Sequence, residues 1–262
     1  MSLSKEKVAA LGDELFEVWK AAKQLAPLTE REPAITIDDA YQVQLRTIGR
    51  RIEAGERVVG KKIGITAKPV MQMLKVDQPD FGHLLSGMAY RNDDALEAER
   101  FCQPRGEGEI AFILKRDLAG PGLTNADVLA ATESVMPAFE IVDSRVTDWK
   151  IKIQDTVADN ASSAMLVVSE ASALPDHVDL TGCRMQLDKN GEAAGSGTGA
   201  ASMGSPLHAM TWLVNQLGER GIVLRAGEIV LTGSLGPLVP VVAGDRMRLS
   251  IEGIGGCTVR FE

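Results

Sequence analysis

The stretch Arg105-Gly-Glu-Gly-Glu-Ile-Ala-Phe-Ile-Leu114 predicts a strand that carries two carboxylates at one end and is apolar at the other. Side chains at positions i and i+2 of a strand point to the same face, so Glu107 and Glu109 should project side by side. The alternate apolar residues from Ile110 onward would then pack behind them.

A third acidic residue, Glu140, lies in the apolar segment Pro137-Ala-Phe-Glu-Ile141. Like charges held close together repel and raise each other's pKa unless a cation neutralises them. Carboxylate oxygens are hard ligands that select Mg²⁺ or Mn²⁺ over soft metals. The alternative is a solvated strand face with an unrelated Glu140, but the apolar flanks favour a metal site.

Length and charge limit the fold and the partners of the chain. With 262 residues and 45% hydrophobic content, it can bury one large core or two small ones. We expect a single domain, with a helical N-terminal segment over residues 1–57 and a β-rich core over residues 58–262. The formal net charge of -8 argues against nucleic acid and anionic membranes, because either would repel this surface. A small-molecule partner fits better.

The cysteines and the first residues indicate the compartment. Cys102, Cys183 and Cys257 lie far apart without C-x-x-C spacing, and their odd number suits reduced thiols in a cytosol. The opening Met-Ser-Leu-Ser-Lys-Glu-Lys resembles neither a secretory signal nor a transit peptide, and no apolar run approaches a membrane span. We therefore expect a cytoplasmic protein.

Apolar spacing and capping residues predict four helices. The first carries an apolar stripe over residues 8–22 at alternating spacings of three and four. The second begins at Thr36-Ile-Asp-Asp39, which resembles a capping box. Thr124-Asn-Ala-Asp127 caps the third helix, and Ser205-Pro206 starts the fourth.

Short β-like runs separated by Gly, Pro and Asn follow from residue 58. Asn190-Gly191 is typical of a type I′ hairpin turn, since both residues tolerate positive φ. The runs lack a regular βα alternation, which argues against a doubly wound sheet and predicts an α+β fold with a mixed or antiparallel core. The predicted strands are residues 58–65, 109–114, 135–142, 164–168, 185–187, 229–232, 246–251 and 257–261.

Two further segments place charged groups in or beside apolar surroundings. In Gly60-Lys-Lys-Ile-Gly-Ile-Thr66, strand alternation sends Lys61 and Lys62 to opposite faces, so one of them should face the core side as a paired or catalytic cation. Gln78-Pro-Asp-Phe-Gly82 has the composition of a loop, in which Asp80 is either a turn residue or an acid-base group.

Three other patterns carry weaker signals. Turn chemistry can account for the end of Asp155-Thr-Val-Ala-Asp-Asn160. Gly195-Ser-Gly-Thr-Gly-Ala200 matches a dinucleotide-binding fingerprint only superficially, because no strong apolar strand precedes it. The three histidines have no ligand spacing, which makes a histidine-bound zinc or iron site a poor hypothesis.

Five motifs, in order along the chain, together resemble the 2-keto-4-pentenoate hydratase family, within the fumarylacetoacetate hydrolase superfamily. The resemblance covers essentially the whole chain. It implies a mixed β-sandwich or roll with peripheral helices, a homo-oligomer, a role in meta-cleavage catabolism of aromatic compounds, and Mg²⁺ or Mn²⁺ on Glu107, Glu109 and Glu140. The motifs are residues 60–66, 78–82, 106–112, 139–145 and 155–162.

The family has two close branches, hydratases and 4-oxalocrotonate decarboxylases, which share the metal carboxylates and often associate with each other. Asp80 and Ser234 resemble the hydratase branch, because decarboxylases tend to carry an apolar residue and a glycine at these positions. The resemblance therefore implies addition of water to 2-hydroxypenta-2,4-dienoate, giving 4-hydroxy-2-oxopentanoate. A decarboxylase, or a non-catalytic partner subunit of one, remains the alternative.

The resemblance also implies roles for single residues. Lys62 falls on the family's retained lysine and would stabilise charge or move a proton. Asp80 would activate the water or move a proton. The residues expected to bind the substrate are Lys152, Asp155, Ser162 and Ser234.

Overall fold

The computed structural model describes residues 2–262. The helices are α1 (Lys5–Lys20), α2 (Leu28–Arg31), α3 (Ile37–Glu53), α4 (Lys68–Leu74), α5 (Asn125–Ala131), α6 (Ile153–Ala158) and α7 (Pro206–Gly218). The strands are β1 (Val58–Gly64), β2 (Asp80–Leu85), β3 (Ala89–Arg91), β4 (Ala95–Leu96), β5 (Arg105–Leu114), β6 (Thr132–Val142), β7 (Ser163–Val168), β8 (Arg184–Lys189), β9 (Glu192–Thr198), β10 (Ile229–Leu231), β11 (Val239–Pro240), β12 (Arg246–Ile251) and β13 (Gly255–Phe261).

The strands form two sheets. The larger sheet has the order β2-β1-β10-β5-β6-β7-β3, with β11 also paired to β5, and the smaller has the order β4-β13-β12-β8-β9. Three pairs are parallel, β1 with β10, β3 with β7 and β4 with β13, and the remaining pairs are antiparallel. Mixed sheets combined with helices confirm the predicted α+β fold.

Strand β5 explains how the two sheets pack together. Gly106 and Gly108 face the smaller sheet, where an added Cβ would lie 2.6 Å from the sulfur of Met247 and 2.6 Å from a methyl carbon of Leu249. Further along the strand, Ile110, Phe112 and Leu114 enter the main hydrophobic core. The glycines of the Gly-Glu-Gly-Glu pattern thus admit the second sheet on one face while the glutamates occupy the other.

The N-terminal helices are tied to the sheet by a buried amide. The capping box at the start of α3 is confirmed, with the Asp39 backbone N–H donating to Thr36 Oγ1 at 3.1 Å and the Thr36 N–H donating to Asp39 Oδ2 at 3.0 Å. The Nε2 group of Gln44 donates to the carbonyl oxygens of Phe81 and Val157, at 3.1 and 2.8 Å. One side chain of α3 therefore fixes both β2 and α6.

The free edge of β2 is covered by a side chain. Asn160, in the turn after α6, accepts the N–H of His83 at 2.8 Å and donates to the carbonyl oxygen of His83 at 2.9 Å. Its amide replaces a neighbouring strand and satisfies backbone groups that an edge would leave exposed. Because this turn leads directly into β7, the contact draws the two sides of the larger sheet together around its glutamate face.

Some predicted elements differ from the observed ones. Gln78-Pro-Asp-Phe-Gly82 was predicted as a loop, but Asp80 begins the fully buried strand β2, because the apolar residues that follow pack into the core. Helices α4 and α6 and most of β9 were not predicted. The hairpin at Asn190-Gly191 is confirmed, with φ of 55° and 86°.

Helices α1 to α3 precede the first strand, which begins at Val58. The division into a segment over residues 1–57 and a core over residues 58–262 stays a prediction. Within residues 2–262, no helix combines the length and the apolar composition that crossing a membrane requires.

Gly60 is expected to be essential for the pairing of β1 with β10. A Cβ at this position would overlap the carbonyl oxygen of Ile229, a backbone atom that cannot move aside. Gly60→Ala should therefore lower the free energy of unfolding by about 1–3 kcal/mol or more. Gly49→Ala, at an open position in α3, should raise it by about 0.5–1 kcal/mol. Urea unfolding measures both variants, and equal stabilities would contradict the close approach.

Candidate active site and metal centre

The pairing of β5 with β6 brings the three predicted glutamates together. Glu107 lies directly opposite Glu140 in this ladder, and Glu109, opposite Ala138, is its diagonal neighbour on the same face. One carboxylate oxygen from each glutamate lies within 4.8 Å of the others. All three side chains are buried, with 7% of Glu107 and none of the other two exposed.

Burial and mutual repulsion make ionisation of all three carboxylates energetically unfavourable. Burial, followed by the charge of Glu140, raises the pKa of Glu107 to about 8. The same two causes, with the charge of Glu107, raise the pKa of Glu109 well above its usual value. Partial compensation comes from Lys62, whose Nζ lies 3.3 Å from Glu140 Oε1, and from the Gly233 N–H, which donates to Glu109 Oε2 at 2.7 Å.

Even with these contacts, several buried carboxylate oxygens make no hydrogen bond within residues 2–262. Glu109 Oε1 and both carboxylate oxygens of Glu140 are buried and make no hydrogen bond within the described chain. Buried polar atoms are rarely left in this state unless an ion or water completes them. The donors are carboxylate oxygens only, which is the set that hard divalent cations prefer, so these residues fit such an ion.

Lys62 and Asp80 are two charged groups that lie near each other beside the glutamates. Asp80 lies opposite Gly64 in the β1–β2 ladder, and Gly64 shares a strand face with Lys62. An added Cβ at Gly64 would contact both the Asp80 carboxylate and the Lys62 ammonium, so the two side chains approach each other over this glycine. Lys61 points to the opposite face, where it pairs across the ladder with His83.

The two members of this pair differ in their protonation. Burial raises the pKa of Asp80 to about 6, although the charge of Lys62 opposes the shift. Burial lowers the pKa of Lys62, but the charges of Glu140 and Asp80 outweigh it and hold that pKa above its ordinary value. Both Asp80 oxygens lack hydrogen-bond partners within residues 2–262. The site therefore offers a permanent cation beside a carboxyl group that can exchange a proton near neutral pH.

These groups lie at the deep end of a cavity of about 870 Å³. Two of the four predicted substrate-binding residues, Ser162 and Ser234, line this cavity. The Ser234 hydroxyl donates to the carbonyl oxygen of Gly236 at 2.8 Å, and the Ser162 hydroxyl lies 3.1 Å from that of Thr156. Their roles in substrate binding stay predictions.

Lys152 and Asp155 are not among the residues that line the cavity, and their roles in substrate binding stay predictions. The Asp155 carboxylate accepts the N–H of Thr29 at 2.9 Å, the hydroxyl of Thr29 at 2.8 Å and the N–H of Lys152 at 2.8 Å. These bonds anchor α2 to the start of α6, and the Lys152 residue itself is exposed. An acidic residue three positions after the N-cap residue of a helix commonly accepts the backbone N–H of that residue. The sequence therefore already contained a signal for the capping role of Asp155.

The structure adds a cavity residue that the sequence analysis missed. Arg105 lies on the same face of β5 as Glu107, and its guanidinium stacks 4.6 Å from the ring centre of Trp149. It has no ion pair within residues 2–262. The alternation that predicted the glutamates, applied two residues earlier, would have identified it.

The Gly195-Ser-Gly-Thr-Gly-Ala200 segment has a different role from a dinucleotide loop. It forms the end of β9 and a following turn, and Ser196 and Thr198 line the cavity. It does not connect a strand to the N-terminus of a helix, as a phosphate-binding loop does. The structure therefore lends no support to a nucleotide site.

Comparison with known proteins places the chain among metal-dependent catabolic enzymes. The family model described as fumarylacetoacetate (FAA) hydrolase C-terminal matches residues 62–262. A 2-hydroxyhexa-2,4-dienoate hydratase of Comamonas testosteroni is 53% identical over 98% of this chain and 98% of that protein. A 2-hydroxypent-2,4-dienoate hydratase of Pseudomonas putida is 53% identical over 84% of this chain and 100% of that protein.

A solved structure is similar over the full chain. A 4-oxalocrotonate decarboxylase from Pseudomonas putida G7, complexed with magnesium and adipate, superimposes with a TM-score of 0.96 at 33% identity. The match covers 99% of each chain. The fold is thus shared with a decarboxylase, while the sequence is more similar to hydratases.

Glu109→Gln should abolish metal binding by this cluster. A neutral amide of similar volume is a weaker ligand for a hard cation, and it removes one of three repelling carboxylates. We expect the metal-free variant to melt at a higher temperature than the metal-free wild type at pH 8. The increase in melting temperature that Mn²⁺ produces in the wild type should be lost.

The exposed Glu192→Gln is the matched control and should behave as the wild type does. Calorimetry with Mn²⁺ provides an independent measurement. An unchanged Mn²⁺ affinity in Glu109→Gln would remove this residue from the ligand set.

Proposed function

The chain belongs to the 2-keto-4-pentenoate hydratase family within the fumarylacetoacetate hydrolase superfamily, and we propose that it adds water to 2-hydroxypenta-2,4-dienoate or a close homologue. It is a hydro-lyase of the meta-cleavage catabolism of aromatic compounds, and the product is a 4-hydroxy-2-oxo acid. The observation that carries the proposal is that Lys62, Asp80 and Glu107 line one cavity, with Glu107 in a cluster with the buried Glu109 and Glu140.

The reaction needs two proton transfers around one addition of water. The dienol loses its 2-hydroxyl proton and gains a proton at C5, which gives a 2-oxo-3-enoate. Water then adds its oxygen at C4 and a proton at C3. Negative charge develops on the 2-oxygen in both steps, so the site must stabilise an oxyanion and exchange protons.

We propose Glu107, Glu109 and Glu140 as the ligands of a divalent cation, Mg²⁺ or Mn²⁺. When bound, such an ion supplies Lewis acidity to the substrate's carboxylate and 2-oxygen. The similar decarboxylase structure is described as complexed with magnesium, which supports this assignment. The contribution of the chain is to bury the three carboxylates and to orient Glu109 through the Gly233 N–H.

Lys62 is the proposed electrostatic residue. Its ammonium lies 3.3 Å from Glu140 Oε1, and the charges of Glu140 and Asp80 hold its pKa above the ordinary value and keep it protonated. A fixed cation in a water-poor site stabilises developing negative charge without reorganisation at the moment of reaction. Its place in β1, with backbone pairing on both sides, keeps this charge in position.

Asp80 is the proposed acid-base residue. A carboxyl group whose pKa is about 6 is present in both protonation states near neutral pH, which suits a group that takes a proton from water and returns one to carbon. Its two oxygens make no hydrogen bond within residues 2–262 and are therefore free to bind a water molecule.

Two alternatives keep specific support. Similarity over the full chain to a 4-oxalocrotonate decarboxylase favours that activity as the second candidate. A non-catalytic subunit that associates with such a decarboxylase is the other, and a homo-oligomer is part of our proposal. Purified protein that hydrates the dienol alone, and releases little CO₂ from 4-oxalocrotonate in the same buffer, would dispose of both alternatives.

Lys62→Met should reduce catalysis more than Lys61→Met. The first substitution keeps the side-chain length and deletes the charge beside Glu140, so kcat/KM should fall by at least about tenfold, or roughly 1.4 kcal/mol of transition-state stabilisation. Lys61 lies on the opposite face of the same strand and provides the matched control. The reverse ranking in a steady-state assay would contradict the assigned roles.

Asp80→Asn should separate binding from chemistry. Metal and oxalate, a planar dianion that chelates metals, should still bind, because the glutamate cluster is intact. Hydration, followed by ultraviolet loss of the dienol, should slow by roughly 10² or more, the usual contribution of a positioned acid-base group. Asp77→Asn, an exposed neighbour outside the cavity, is the control. Full hydratase activity in Asp80→Asn would overturn the assignment.

A further inference from the structure

The outer half of the cavity is apolar and open. Helix α4 contributes Val70, Met73 and Leu74 to its lining, and the loop before β11 contributes Leu238. The exposed fraction of Met73 is 70%, and that of Leu238 is 37%. Two of the largest exposed apolar side chains of residues 2–262 therefore lie at the mouth of the catalytic cavity.

Helix α4 is only partly covered within residues 2–262. None of its residues is buried, although its sequence Lys-Pro-Val-Met-Gln-Met-Leu is mostly apolar. A helix of this length is not stable by itself and normally depends on packing of an apolar face. Three residues of α4, Val70, Met73 and Leu74, line the cavity, so an apolar group bound there would cover this side of the helix.

The orientation of a bound substrate follows from the distribution of charge. Lys62, Asp80 and Glu107 are at most 7% exposed and form the deep end. The carboxylate and 2-oxygen of a dienol belong at that end, so C5 and any group attached to it extend toward the mouth. A cavity of about 870 Å³ is in the upper part of the range for drug-sized ligands and leaves space beyond a five-carbon acid.

We propose that Val70, Met73, Leu74 and Leu238 form a subsite for an apolar substituent at C5. The preferred substrates are then 2-hydroxy-2,4-dienoates that carry an alkyl chain of several carbons at this position. The inference rests on the proposed function, because it uses the orientation of the dienol in the same cavity. It assigns specificity to residues that do not take part in the proton transfers.

Arg105 could instead bind a C5 substituent that ends in a carboxylate, which is the competing hypothesis. Its guanidinium is not paired within residues 2–262 and stacks on Trp149. However, Arg105 lies two residues from Glu107 on one strand face, so it borders the acidic end of the cavity. A carboxylate at the mouth would lose hydration against apolar side chains, which is unfavourable.

The test compares four dienols as substrates of the same purified enzyme. They are 2-hydroxypenta-2,4-dienoate, 2-hydroxyhexa-2,4-dienoate, 2-hydroxyocta-2,4-dienoate and 2-hydroxyhexa-2,4-dienedioate. Wild-type kcat/KM should rise by about two- to fourfold for each added methylene, the factor expected for partial to full burial of that group. The dienedioate should be a poorer substrate than the hexadienoate.

Substitutions at the mouth of the cavity test whether its residues cause the preference for longer alkyl chains. Met73→Ala and Leu238→Ala should each lower the ratio of kcat/KM for the octadienoate to that for the pentadienoate several-fold, and Met73→Leu should retain most of it. Leu174→Ala is the matched control, because Leu174 is 51% exposed and lies outside the cavity. Its ratio should equal that of the wild type.

The outcomes separate this inference from the proposed function. Turnover of the pentadienoate without an increase along the series, or a ratio that both alanine variants retain, would overturn the inference alone. The dienedioate is the dienol tautomer of 4-oxalocrotonate, so its turnover is followed as hydrated product and not as loss of the dienol. A preference for hydrating the dienedioate that Arg105→Met abolishes would assign the region to a carboxylate and also overturn the inference. Absence of turnover with every dienol would contradict the proposed function, and the inference would fall with it.

Discussion

The burial of three carboxylates within one small volume is the constraint on which the rest of the site depends. Buried charges are tolerated only when they are paired and hydrogen-bonded. Lys62 and the Gly233 N–H pair with part of the cluster, and three carboxylate oxygens make no hydrogen bond within residues 2–262. A divalent cation would satisfy them, so metal binding should contribute to folding stability as well as to chemistry.

Strand β5 shows how one segment serves packing and chemistry together. Its glycines face the smaller sheet and let Met247 and Leu249 approach, while its glutamates face the cavity. A larger residue at Gly106 or Gly108 would displace the second sheet, which packs against the same strands that position the glutamates. The alternation of glycine and glutamate in β5 is therefore required for packing of the two sheets as well as for the placement of the carboxylates.

The cluster of glutamates could be predicted from the sequence because strand geometry is local, whereas other parts of the site depend on distant contacts. The i, i+2 rule places Glu107 beside Glu109 from sequence alone. The contacts of Asp155 with Thr29, 126 residues away, could not be predicted from the sequence. Strand β2 was predicted as a loop because Pro79 and Gly82 flank its first two residues, and only its pairing with β1 and Asn160 shows that it is buried.

The residues proposed for catalysis and those proposed for substrate specificity lie in different parts of the cavity. Lys62, Asp80 and the glutamates lie on paired strands, where backbone hydrogen bonds fix their positions. The mouth is formed largely by α4 and loops, and none of the residues of α4 is buried. Substitutions at buried positions are usually costly, whereas exposed positions tolerate change. Related enzymes with one reaction can therefore differ in substrate through exposed residues at the mouth, while the buried acidic end stays constrained by its charges.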